Sequence, residues 1–359
     1  MAEATIAPAV HDTIEGLPSP AENCVIVGQD EPREFLARAL REHHLHHALL
    51  FEGPQGVGKA TVAFHLANRI LSPGFIDAAE GALAPPDVDS AIFRQIAGGT
   101  HPGILHITRP RDPRSGQFRT AITIDEIRRV THLLTRTSHD GGWRIVIIDP
   151  AEDMNRNAAN ALLKTLEEPP ARALFVLVSH SPGRLLPTIR SRCQAVRFQP
   201  LDRVTLEAAI TRHGLVERHA PILPQLVSRA EGSVRQAALL ILHGGIEIAD
   251  AVDAVVGGRT FDVERAQTLA QAVSGRDAGV QYALFLDHLL NRVASRAFET
   301  AIGQGTVIAE PWSALWHGLR EDAADAVAFN LDRKQTALVL LQRAHEAFAG
   351  WQSRITSAM

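Results

Sequence analysis

The stretch from residue 48 to residue 71 reads ALLFEGPQGVGKATVAFHLANRIL, and it decides the fold of the first part of the chain. An apolar run leads into a glycine-rich loop, which opens a helix-like segment. A loop of the form GxxxxGK between a strand and a helix is the phosphate loop, whose backbone N–H groups converge on phosphate oxygens. We expect the three glycines Gly53, Gly56 and Gly58 to shape this loop. Lys59 is expected to reach the β- and γ-phosphates of a bound nucleotide.

Two positions depart from the pattern of P-loop proteins that hydrolyse nucleotide. The residue after the lysine is normally Ser or Thr, whose hydroxyl ligates Mg²⁺, but here it is Ala60. The next residue, Thr61, points ~100° further around the helix. A second apolar run ends in Asp149, as the second nucleotide element requires, but Pro150 follows it instead of the carboxylate that acts as general base.

These departures limit what the site is expected to do. We expect this chain to be able to bind ATP or a related nucleotide, with weak or absent hydrolysis and with Mg²⁺ binding left open. An ordinary glycine-rich turn is the alternative reading of the loop. The alternative reading of Asp149 is a strand-end turn or a helix cap.

Four short apolar runs alternate with helix-like segments in the first half of the chain. They are Ala48–Phe51, Ile104–Thr108, Arg144–Asp149 and Leu174–Ser179. Buried strands that alternate with helices predict an α/β fold, a parallel sheet covered by helices on both faces. Ser72–His101 shows little periodicity and predicts a long loop or insertion. After about residue 200, amphipathic helical patterns continue to the end.

The composition excludes several classes of protein. The 359 residues are 45% hydrophobic and carry a formal net charge of −4, which argues against a protein that binds nucleic acid over its whole surface. Cys24 and Cys193 cannot form a disulfide framework or a four-cysteine zinc site. There is no apolar run of the ~18 residues that a membrane span needs. We predict a cytoplasmic protein that binds neither zinc nor membranes.

Several motifs resemble those of bacterial clamp-loader subunits of the AAA+ type, over roughly residues 25–245. They are Val27-Gly28-Gln29, His46-His47-Ala48-Leu49, the run NALLKTLEEPP at residues 160–170, and Ser191-Arg192-Cys193. The resemblance implies a AAA+ α/β domain over residues 25–200, preceded by a disordered tail over 1–24. It also implies a helical lid over 201–248 and an all-α collar for oligomerisation over 249–359.

The resemblance also implies roles for three further residues. Arg192 corresponds to the trans-acting arginine finger, which stabilises charge on the γ-phosphate of a neighbouring subunit. Ser179 matches the first sensor position and Arg235, in the segment GSVR, the second. A capping arginine, a strand-end hydroxyl and a packing or paired arginine are the respective alternatives.

The implied partners are the delta and gamma/tau subunits of the DNA polymerase III clamp loader, the sliding clamp and primer-template DNA. The first hypothesis is a largely non-hydrolysing subunit that completes a neighbour's ATP site and helps to load the clamp during DNA replication. The second is an active ATPase of the gamma/tau kind, against which Ala60 and Pro150 argue. A stand-alone P-loop enzyme would leave the SRC motif unexplained.

Overall fold

The structure is a computed structural model that describes residues 10–72, 81–135, 142–217 and 220–358. It divides into two compact units, with the boundary between Ala237 and Ala238. The first unit contains all five described strands and the second is helical. In the described part of the chain, no helix is long and apolar enough to cross a lipid bilayer.

The first unit is built on a five-stranded, entirely parallel sheet. Its strands are β1 (Ala48–Glu52), β2 (Ile104–Ile107), β3 (Arg144–Ile148), β4 (Ala173–Ser179) and β5 (Gln194–Arg197). Their order across the sheet is β2-β3-β4-β1-β5. The four strands predicted from the sequence are confirmed within a residue or two. The fifth, β5, was missed because its sequence, QAVR, is half polar and it lies at the edge.

Two hydrophobic cores cover the two faces of this sheet. Alternate strand residues such as Phe51, Ile147 and Val176 belong to one core. Their neighbours in sequence, such as Ile148 and Leu177, belong to the other. Since successive side chains of a strand point to opposite faces, helical layers cover both sides of the sheet, and the predicted α/β fold with a parallel sheet is confirmed.

Nine helices of the described residues begin in the first unit, and α9 crosses the boundary. They are α1 (Asp30–Arg41), α2 (Lys59–Leu71), α3 (Ala91–Ala97), α4 (Ile124–Thr135), α5 (Arg156–Glu167), α6 (Pro187–Arg190), α7 (Arg203–Arg212), α8 (Leu223–Ala230) and α9 (Val234–Leu242). Helix α3 lies in the stretch predicted as a loop, where Ser90 caps it by accepting a hydrogen bond from the Phe93 N–H at 3.1 Å. Residues 73–80 of that stretch lie outside the described residues.

The stretch at residues 10–24 differs from the disordered tail expected over 1–24. Thr13 N–H donates to Val10 O at 3.1 Å, Ser19 is 8% exposed, and Asn23 O contacts His65 Nε2 at 2.7 Å. The apolar residues of this stretch, such as Ile14, Leu17 and Ala21, are partly buried and allow it to pack on the domain. Residues 1–9 lie outside the described residues.

The second unit is a set of helices around one core. It contains α10 (Gly245–Val256), α11 (Val263–Val273), α12 (Gly279–Gln304), α13 (Thr306–Ala328) and α14 (Arg333–Ala358). Trp312 is 3% exposed and stacks edge-on against Phe348, with 4.8 Å between ring centroids. Trp312 therefore fills the core of this unit.

Candidate nucleotide site

The phosphate loop has the backbone conformation that its glycines permit. Gly53, Gly56 and Gly58 have φ angles of 150°, 78° and 102°, which side chains with a Cβ rarely adopt. A Cβ on Gly53 would also lie 2.2 Å from the carbonyl oxygen of Phe198. Glycine is therefore required at Gly53 both by the backbone angle and by the close approach of the chain after β5.

Lys59 begins α2 and is 3% exposed. Its Nζ donates to the carbonyl oxygens of Gly53, at 2.6 Å, and of Pro54. Burial lowers the pKa of Lys59 to about 8, while the carboxylates of Asp149 and Glu152 act in the opposite direction. A buried amine that is held by the loop carbonyls is positioned to bind phosphate oxygens that enter the loop.

Asp149 follows β3 and lies in the same cleft as Lys59, where it is 7% exposed. Burial raises the pKa of this carboxyl strongly, and the negative charge of Asp12 adds to the effect. Lys59 acts in the opposite direction. The two nucleotide elements predicted from separate parts of the sequence are therefore brought together in one cleft.

Ala60 and Thr61 line the cleft but supply little to a metal ion. Ala60 has no ligand atom. Thr61 is 7% exposed, and its hydroxyl accepts a hydrogen bond from Asn23 Nδ2 at 3.5 Å. The hydroxyl thus faces the N-terminal stretch, in keeping with the expected rotation around the helix. Among the described residues, no group of three or more His, Cys, Asp or Glu side chains is arranged to hold a metal ion.

Arg235 lies beside the loop, whereas Ser179 is not among the residues that line the cleft. A Cβ on Gly56 would lie 2.4 Å from Arg235 Cβ, and Val234 N–H donates to Gly56 O at 3.0 Å. Arg235 therefore lines the same cleft as Lys59. Ser179, at the end of β4, is fully buried, and its Oγ accepts from the Ser181 N–H at 3.3 Å.

Arg192 lies away from this cleft, just after α6. Its guanidinium forms an ion pair with Glu167 at 2.7 Å and donates to the carbonyl oxygen of Thr188 at 3.0 Å. The side chain is 36% exposed. Glu167 ends α5 within the NALLKTLEEPP run, so the two most specific sequence motifs meet at the surface of this unit.

Sequence reasoning missed the role of Glu152. Its Oε1 accepts from the N–H groups of His180 and Ser181, at 2.8 and 3.0 Å. Its Oε2 is buried without a hydrogen-bond partner. The carboxylate therefore joins the end of β3 to the end of β4 beside Lys59. Its spacing from Asp149 in sequence gave no sign of this contact.

Gln29 explains part of the VGQ motif. Its side-chain amide donates to Val57 O at 3.2 Å and to Gln199 O at 2.7 Å. One buried side chain thus holds the phosphate loop against the segment that follows β5. The sequence marked this residue only through its resemblance to the clamp-loader motif.

Comparison with known proteins finds sequence similarity to subunits of DNA polymerase III. Residues 28–202 match the family model "DNA polymerase III, delta subunit". The chain is 36% identical over 204 residues to the DNA polymerase III subunit delta' of Pseudomonas aeruginosa, covering 57% of each chain. It is 32% identical over 284 residues to the subunit tau of Salmonella typhimurium, covering 76% of this chain and 40% of the relative.

This chain therefore spans little more than half the length of the delta' relative and less than half that of tau. A solved gamma subunit-related protein of Thermotoga maritima is 20% identical, with a TM-score of 0.37 over 88% of this chain and 99% of that one. Residues 28–202, which hold the phosphate loop and the five described strands, are therefore similar in sequence to DNA polymerase III subunits.

Proposed function

We propose that this chain acts as a delta-prime-type subunit of the clamp loader of DNA polymerase III. It would hydrolyse little or no ATP itself and would complete the ATP site of a neighbouring gamma/tau subunit with Arg192. The delta subunit, the sliding clamp and primer-template DNA would be partners through the assembly, in the cytoplasm.

The observation that carries this proposal is the placement of Arg192. A finger must be accessible and yet held in a defined position, and this guanidinium is 36% exposed and anchored by Glu167 and a main-chain carbonyl. An ion pair this exposed contributes about 0–1 kcal/mol to stability. The guanidinium can therefore leave Glu167 for a phosphate at small cost.

The chain's own cleft supports the same assignment. Lys59, Asp149 and Arg235 surround it, so binding of a nucleotide is chemically reasonable. Ala60 lacks a hydroxyl for Mg²⁺. Pro150 supplies no general base, and one oxygen of Glu152 is already taken by two backbone N–H groups. Binding without efficient hydrolysis is what this set of residues favours.

Exposed apolar side chains of the second unit support a role in oligomerisation. Phe298 and Ile302, near the end of α12, are 67% and 72% exposed, and Val307, at the start of α13, is 80% exposed. Exposed apolar patches of this kind mark protein interfaces. In the proposal, residues 201–248 remain the lid and residues 249–359 the collar.

The proposal is tested with a reconstituted assembly that contains Arg192→Ala. Clamp-stimulated ATP turnover at the site that Arg192 completes should fall by about 10³-fold or more, since an arginine finger stabilises transition-state charge. The assembly should elute unchanged. Arg192→Lys should restore little, because Lys lacks the planar fork of donors. Arg190→Ala, at the neighbouring exposed arginine, is the matched control and should retain turnover. Full turnover with Arg192→Ala would reject the proposal.

An active gamma/tau-type ATPase is the second candidate. It is favoured by the tau relative, whose match covers 76% of this chain against 57% for delta'. ATP turnover by the isolated chain distinguishes the two. Substantial Mg²⁺-dependent hydrolysis, abolished by Lys59→Ala, would establish the second candidate over the first.

A further inference from the structure

Part of the N-terminal stretch lies across the nucleotide cleft. Residues of this stretch and of the phosphate loop line one continuous cleft. From the stretch these are Asp12, Thr13, Ile14, Leu17, Pro18, Ser19, Pro20 and Asn23, and from the loop and α2 they are Gln55, Gly56, Val57, Gly58, Lys59, Ala60 and Thr61. A nucleotide that reaches the loop must therefore enter beside this stretch.

Contacts at both sides hold the stretch in place. Arg235, which the family resemblance places at the second sensor position, donates through Nη1 to the carbonyl oxygen of Asp12. His11 packs edge-on against Phe118, with 6.3 Å between ring centroids. Val10 N–H donates to Thr13 Oγ1 at 2.9 Å, which closes a turn. The Arg235 guanidinium, which a bound phosphate would need, is therefore already hydrogen-bonded to this stretch.

The charge of Asp12 also opposes phosphate. Its carboxylate is close enough to Asp149 to raise the pKa of that carboxyl, and it also acts on His180. Both of these residues line the cleft with Lys59. A nucleotide phosphate that approached Lys59 would meet this negative charge, and like charges repel across a cleft of low dielectric.

We propose that residues 10–17 form an intramolecular lid over the phosphate loop, and that a nucleoside diphosphate binds this chain only by displacing it. Binding would require Asp12 to move and Arg235 to exchange a main-chain carbonyl for phosphate oxygens. The proposal concerns this chain's own cleft and is independent of the role of Arg192, so either can fail alone.

The first test measures ADP binding to the full chain by calorimetry, with and without Mg²⁺. Asp12→Asn removes the charge and keeps the backbone, and it should tighten binding by about fivefold. Glu15→Gln, an exposed acid of the same stretch that does not line the cleft, is the matched control. It should stay within about twofold of wild type.

A variant that lacks residues 1–16 should bind ADP at least as tightly as Asp12→Asn. If neither variant binds ADP more tightly than the full chain does, the lid is refuted. The same holds if Glu15→Gln tightens binding as much as Asp12→Asn, since bulk charge would then be the cause.

Hydrogen exchange supplies a readout that does not depend on the truncated variant folding. The Thr13 and Leu17 amides donate to Val10 O and Ile14 O, at 3.1 and 3.2 Å. Saturating ADP should speed their exchange in the full chain as the stretch leaves. Unchanged or slower exchange on saturation with ADP would mean that the stretch stays in place, and would overturn the proposal.

Discussion

Replacing Gly56 with alanine tests whether the segment formed by the start of α9 and the residues just before it is packed on the phosphate loop. The added Cβ would lie 2.3 Å from Ser233 Oγ and 2.4 Å from Arg235 Cβ. Ser233 can rotate its hydroxyl away, but Arg235 Cβ is fixed to the backbone. The loop and the segment must therefore separate, which breaks the hydrogen bond from Val234 N–H to Gly56 O.

The expected magnitude has two parts. The φ of Gly56 is +78°, and placing alanine in that region costs about 1–2 kcal/mol. Overpacking adds about 1–3 kcal/mol. Gly214→Ala isolates the first part, because its φ is +67° and nothing lies within 4 Å of the added Cβ. The free energy of unfolding of the first unit should therefore be about 1–3 kcal/mol lower in Gly56→Ala than in Gly214→Ala.

Hydrogen exchange across a urea series provides the assay, with mass spectrometry of peptides from β3 and β4. These buried strands report on the first unit alone, whereas tryptophan fluorescence would mix both units. Gly56→Ala should also weaken ADP binding, while Gly214→Ala should not. Equal stability of the two variants would refute the packing of residues 232–235 against the loop.

Three further predictions concern the first unit. The isolated chain should release negligible phosphate from ATP. Ala60→Thr should make ADP binding depend on Mg²⁺ but should not restore ATP turnover, because the general base is still missing. Measurable ATP turnover by this variant would contradict the reasoning. Burial lowers the pKa of His106 to about 4, so its contribution to stability is present above its ordinary pKa of about 6.5 and lost as the pH falls from there toward 4. Between pH 6 and 5, the free energy of unfolding of the wild type should fall by about 1.2 kcal/mol more than that of His106→Gln does in urea unfolding, and equal losses in the two proteins would contradict this reasoning. Burial raises the pKa of the Cys193 thiol to about 12. Because the thiolate is the reactive form, iodoacetamide at about pH 8 should label Cys193 roughly a thousandfold more slowly in the folded chain than in urea. Fast labelling of the folded chain would contradict the burial of this thiol.

The sheet could be predicted because its central strands are apolar throughout. Residues 174–178 read LFVLV, and their side chains are buried on both faces of the sheet. Such a continuous apolar run is typical of a parallel strand that is covered on both faces. The edge strand β5 gives no such signal, since only Val196 of its four residues is buried. Short edge strands are defined by their neighbour's hydrogen bonds and leave little mark on the sequence.

The candidate site was predictable where a local motif fixes it. The positive φ angles of Gly53 and Gly58 follow from the spacing of the phosphate loop itself. The positions of Asp12 and Glu152 do not, because they depend on contacts with residues far away in sequence. Arg235 is 223 positions from Asp12, and His180 is 28 positions from Glu152. Local sequence patterns carry no information about such long-range contacts.

The most direct test of the central claim is a structure of the reconstituted clamp loader with a non-hydrolysable ATP analogue. The account predicts that Arg192 leaves Glu167 and places its guanidinium nitrogens about 2.7–3.2 Å from γ-phosphate oxygens on the neighbouring subunit. It would be contradicted by an ordered assembly with ATP analogue at that boundary in which Arg192 remains paired with Glu167 and another residue contacts the γ-phosphate.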